Sequence, residues 1–216
     1  MTVKKFLPLF LLLGVFDLVA IVFELPARWL SKPLIMISLL AYFWYNTRGI
    51  NENKLRHIFA LALLFALGGD ILLLNESWFI AGLGSFLIMQ VLYSYCFLSS
   101  GFERSRVLIA VIVLGLFAMA VNVQLWPYLG ALQWPVLFYT IAISIMTWAA
   151  FVRPLSSPGF LVISIGAFAF LVSDMIIALN QFHPDIQLSG WLVMATYIPA
   201  QFLIVFGYTQ YLNHQA

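Results

Sequence analysis

Apolar stretches follow one another from residue 6 to residue 212, divided only by short polar or Pro/Gly-containing breaks such as Glu24 to Arg28, Thr47 to Lys54, Gly101 to Arg106 and Arg153 to Gly159. A helix needs about 20 mostly apolar residues to cross the hydrocarbon of a bilayer, because lipid offers no partner to unpaired backbone groups. Eight stretches meet that length or approach it, at roughly 6–25, 31–46, 55–75, 77–99, 105–125, 130–152, 158–181 and 188–212. The second is the shortest, which suits a helix embedded in protein. Strands of a membrane barrel would alternate apolar and polar positions over about ten residues, and these continuous runs do not. The pattern predicts an all-α bundle of eight transmembrane helices in a single domain, 1–216.

Basic residues set the expected orientation. Lys4, Lys5, Arg48, Lys54, Arg56, Arg104, Arg106 and Arg153 fall at the amino terminus or in the connections after the second, fourth and sixth stretches, against Arg28 and Lys32 on the other side. That asymmetry predicts both termini in the cytoplasm. Trp29, Trp78, Trp126, Trp134 and Trp191 gather near the opposite span ends, as an interfacial aromatic belt would. The first stretch follows two lysines like a signal peptide, but its length, Asp17 and the lack of a small-x-small cleavage site predict a retained helix.

Composition narrows the function classes. Apolar and aromatic residues make up 64% of the chain and charged residues 8%, where a soluble domain carries about 25% charge. A soluble globular protein and a disordered chain are both excluded. The net charge of +2, with basic residues scattered, gives no footprint for nucleic acid. One cysteine, Cys96, precludes an intrachain disulfide.

A carboxylate inside a membrane helix is unfavourable by several kcal/mol unless neutralised, paired or wetted, so each one asks for a reason. Asp17, Asp70 and Asp174 qualify. Asp70 and Asp174 each lie about 15 residues from the cytoplasmic end of their stretch, a depth of roughly 22 Å; Asp17 lies at about 16 Å, without a similar local sequence. Both deeper aspartates follow a small residue and precede an asparagine, Gly69 and Asn75 in one case, Ser173 and Asn180 in the other. The next stretches carry Gln90 with Tyr93, and Tyr197 with Gln201, each pair on one helix face. A distant helix-pair duplication would produce this pattern, and a purely packing role for the buried polar groups is its plain alternative. Lys32, in Ser31-Lys32-Pro33, opens the second helix, where an ammonium would hold a lipid phosphate or simply snorkel. His57, His183 and His214 lie at span ends or in loops without zinc-ligand spacing, so no metal and no cofactor is expected. Neither a nucleophile elbow nor a phosphate-binding loop is present.

Lys32-Pro33, Gly69-Asp70, the Gly82 to Phe97 segment with Tyr93-Ser94-Tyr95-Cys96-Phe97, Ser173-Asp174 with Asn180, and Thr196-Tyr197 with Gln201 together resemble the YhhN-like lysoplasmalogenase family. The resemblance covers essentially all eight spans. It implies an inner-membrane, multi-pass hydrolase that cleaves the vinyl-ether bond of lysoplasmalogens to a fatty aldehyde and a glycerophospho-alcohol. The substrate would be a lysophospholipid among membrane lipids. By the same resemblance Lys32, Tyr93, Asn180, Tyr197 and Gln201 accompany catalytic Asp70 and Asp174. Where the family usually has a histidine this chain has Gln90, which removes a titrating group but keeps a hydrogen-bonding one. The chemistry agrees. Vinyl-ether cleavage starts by protonating the β-carbon, water captures the oxocarbenium ion, and the hemiacetal collapses. Two carboxyls sharing a site can hold one proton between them near neutral pH, as glycosidases exploit. Paired intramembrane aspartates also serve proton- or cation-coupled transporters, the competing class.

Overall fold

The computed structural model describes residues 2–50, 54–182 and 189–215; position 188, where the eighth stretch was expected to begin, and His183 lie outside the described residues. Within them are eight long helices and no strand: α1 (Val3–Val22), α2 (Arg28–Asn46), α3 (Lys54–Leu72), α4 (Phe79–Leu98), α5 (Arg104–Leu125), α6 (Gln133–Phe151), α7 (Phe160–Phe182) and α8 (Ser189–Gln215). Each coincides with one predicted stretch. Seven are long and apolar enough to cross a membrane. The exception is α2, which opens with Arg28 and buries Ser31, Lys32, Ile35, Met36, Leu39, Tyr42 and Phe43. A helix that buries an ammonium among neighbours needs less apolar surface of its own, so this multi-pass membrane protein holds α2 by packing.

The most extensive contacts join α7 to α8 and α3 to α4. α4 also meets α6, while α2 bridges α1, α3 and α8. Seven helices therefore surround a common interior, and the large apolar side chains left exposed, such as Leu12, Leu108, Met119 and Leu161, lie along the outside. α5 is the outlier: only Leu114, Asn122 and Leu125 are buried on it, and it rests mainly on α6. The five expected belt tryptophans are all exposed.

Glycine permits one of the closest crossings. A Cβ on Gly159, whose φ is +71°, would stand 2.3 Å from the Gly207 carbonyl oxygen, so the start of α7 touches the backbone of α8 there. At the same end of the bundle Arg153 is fully buried. Its Nε donates to Ser100 Oγ at 3.0 Å and its Nη2 to Ser157 Oγ at 2.8 Å, while its guanidinium lies 4.9 Å from the Tyr211 ring centre. Burial pushes that guanidinium down to about 10, so it keeps its charge at neutral pH. Arg106 completes the clasp, donating to the carbonyls of Phe151 and Arg153 and to the Glu103 carboxylate. The α4–α5 and α6–α7 connections and the end of α8 are thereby tied together.

Candidate active site

At the opposite end the interior is polar. Asp70, near the end of α3, is 1% exposed; its Oδ1 lies 3.4 Å from Lys32 Nζ on α2, and its Oδ2 accepts a 2.7 Å hydrogen bond from the Tyr197 hydroxyl on α8. Lys32 does not snorkel: it is 6% exposed and committed to this carboxylate. The local sequence makes the contact possible, because a Cβ on Gly69 would stand 2.8 Å from the Phe86 ring, and only glycine lets α3 and α4 close beside the aspartate.

Asp174, on α7, has different company. The Tyr139 hydroxyl on α6 donates to its Oδ2, and Gln90 Nε2 on α4 reaches the same oxygen at 3.4 Å. Both partners are neutral. Gln90 Oε1, buried beside them, has no hydrogen-bond partner among the described residues. The two carboxyls are linked through shared helix faces: Gln90, which reaches Asp174, lies on the α4 face that carries Tyr93, and Tyr93 bonds Gln201 on the α8 face that carries Tyr197, the partner of Asp70. The Tyr93 hydroxyl donates to Gln201 Oε1 at 3.0 Å, and Gln201 Nε2 lies 3.6 Å from Met89 Sδ.

Two residues here escaped the sequence reading or were set aside by it. Tyr139 was missed, since a tyrosine in a membrane span carries no desolvation anomaly that would single it out. Asp17, which the sequence sets apart from the other two aspartates by depth and local sequence, is fully buried and accepts a 2.5 Å bond from Ser31 Oγ. Through Ser31 it braces the turn of α2 that carries Lys32. Asn180 is exposed and stands apart from the buried cluster, at the rim.

Two cavities meet at this cluster. One is an apolar crevice of about 40 Å³ between α4, α5, α6 and α7, lined by Leu83, Phe117, Val121, Ile143 and Ala178, with Asp174 and Tyr139 in its wall. The other is a polar mouth of about 160 Å³ lined by Arg28, Lys32, Asn75, Glu76, Asn180, Gln181 and Ser189. Leu73, Phe79 and Ile177 line both. The mouth lies at the end of the bundle where α1 joins α2, α3 joins α4 and α7 leads into α8. Among the described residues no cluster of His, Cys, Asp and Glu has the composition to hold a metal ion.

Residues 27–208 match the YhhN family. A protein of Bos taurus named lysoplasmalogenase TMEM86A is 32% identical over a match 154 residues long, which covers 67% of this chain and 62% of that protein. The match thus spans less than two thirds of that relative's length. No solved structure matches the chain significantly.

Proposed function

The chain belongs to the YhhN family, and from that premise we propose that it is a membrane hydrolase cleaving the vinyl-ether bond of lysoplasmalogens, with Asp174 as the proton donor and Asp70 as the fixed anion. The observation that carries this reading is the unequal pairing of two carboxyls in one interior: Asp70 faces an ammonium, whereas the partners of Asp174 among the described residues are a phenol and an amide. A counter-charge stabilises the ionised form of a carboxyl, and neutral hydrogen-bonding partners in a dry interior leave room for a proton. Asp174 also lines the apolar crevice, where the alkenyl chain of a lysophospholipid would lie.

In the proposed reaction the Asp174 carboxyl gives its proton to the β-carbon of the enol ether, and the carbon–carbon double bond supplies the electron pair. The oxocarbenium ion that results is held by the new Asp174 carboxylate and by the Asp70 side of the cluster. Water adds to the cationic carbon and returns a proton to Asp174. The hemiacetal then breaks its bond to the glyceryl oxygen, which takes the proton held on Asp174 while the hemiacetal hydroxyl returns its own to that carboxylate, releasing aldehyde and alcohol. Gln90 Oε1 is a buried acceptor beside the acid, suited to orienting the water; Tyr139 fixes the carboxyl, and Lys32 with Tyr197 fixes its counterpart. The lipid location we propose is the inner membrane, with both termini cytoplasmic and the polar mouth on the far side.

The test is purified protein in detergent, given a lysoplasmenyl lipid and assayed for aldehyde. Wild type should release it, and Asp174→Asn and Asp70→Asn should each lose at least about a hundredfold in turnover, the scale of losing an acid or base group. Near-normal turnover in a folded variant removes that aspartate from the mechanism. Wild-type protein that releases no aldehyde from the lipid overturns the reading.

A further inference from the structure

The polar mouth contains opposite charges that do not neutralise each other. Arg28 lies one helical turn before Lys32 on the same face of α2, and Glu76 stands in the short 3-10 turn between α3 and α4. The ion pairs among the described residues are Lys32–Asp70 and Arg106–Glu103, so neither Arg28 nor Glu76 belongs to one. Arg28 Nε is buried and without a partner among those residues. Lys32, the cation first considered for a phosphate, is taken by Asp70. A cavity that presents a guanidinium and a carboxylate in no ion pair among the described residues is matched by a ligand carrying both signs.

Resting on the reading above, we infer that Arg28 and Glu76 form a head-group subsite for a zwitterionic phosphodiester, with Arg28 on the phosphate and Glu76 on the ammonium. The neutral Asn75, Asn180, Gln181 and Ser189 side chains of the same wall offer donors and acceptors to the glyceryl and phosphate oxygens. This geometry assigns Asn180 to the head group rather than to the reacting bond. It also makes the subsite selective: a lipid with phosphate alone keeps the Arg28 contact and loses the Glu76 one, and a lipid without phosphate loses both.

The experiment measures binding, not turnover, with three saturated ether lipids that cannot be hydrolysed by this route: 1-O-alkyl-glycero-phosphoethanolamine, 1-O-alkyl-glycerol 3-phosphate and 1-O-alkylglycerol. Arg28→Gln should weaken the first two by about tenfold, the scale of one charge-assisted hydrogen bond, and leave the third unchanged. Glu76→Gln should weaken the first alone. Unchanged alkylglycerol binding reports that each variant is folded; if Arg28→Gln does not fold, Arg28→Lys, which keeps the charge and loses the forked donor, should weaken the two phosphate lipids by less than about tenfold while sparing the third. Soluble glycerophosphoethanolamine, added as competitor, should displace the phosphoethanolamine lipid from wild type only at far higher concentration, because it lacks the chain. Equal competition by the soluble compound overturns the lipid assignment in favour of a free phosphodiester. Equal losses across all three lipids, or no loss with any, overturn the subsite. Because these lipids are bound rather than cleaved, failure here is distinct from failure of the aldehyde assay.

Discussion

At the scale of residues, the centre of the molecule is a set of polar side chains each of which would be unfavourable in hydrocarbon alone. The sequence singles out Asp70, Asp174, Lys32, Gln90 and Gln201 because charge or amide in a membrane span is conspicuous, and Tyr93 and Tyr197 by their spacing from those glutamines; the fold buries all of them. Their pairing was not legible: which carboxyl meets the ammonium depends on helix rotation, and rotation depends on contacts such as that of Gly69 with Phe86. Tyr139 shows the complementary limit. A phenol is unremarkable in a membrane helix, so only its bond to Asp174 reveals it. Replacing it with phenylalanine should lower turnover about tenfold by freeing that carboxyl, while the thermal midpoint moves little because the ring still packs. Steady-state kinetics beside a melting curve in the same detergent check this; unchanged turnover would detach Tyr139 from the proposed acid.

At the scale of elements, the spans were readable because hydrocarbon thickness fixes their length. Their functional inequality was not. α2 has too little apolar content to count as a span by composition, and α5 has almost nothing buried, yet one carries the ammonium of the site and the other forms a wall of the crevice. Ala178 lies one turn after Asp174 on the crevice face of α7. Ala178→Phe should fill the crevice and raise KM for long alkenyl chains by at least about tenfold, as the burial of several methylenes is lost; a chain-length series measures it, and short chains should be spared. The α7–α8 crossing makes a separate demand. Gly159→Ala should destabilise the bundle by about 2 kcal/mol or more, since it combines a left-handed backbone with a collision against Gly207, and thermal unfolding reads the loss directly.

At the scale of the whole molecule, the bundle divides its labour between two ends. Arg153 and Arg106 bind the connections at one end, and the charge cluster with its two cavities occupies the other. In the sequence Arg153 reads as a topology signal; its total burial is visible only once Ser100, Ser157 and Tyr211 surround it. Arg153→Ala should lower stability by about 2–4 kcal/mol through the cavity and the unpaired groups left behind, with KM for the lipid unchanged, because the two ends are served by different residues. A joint change in KM would show that the ends communicate. The meeting of a greasy crevice with a watery mouth has one more outcome on the proposed reaction. Scission yields one fragment that dissolves in the bilayer and one that dissolves in the surrounding fluid, so each departs down the route already suited to it, and the phase boundary itself keeps the halves from recombining.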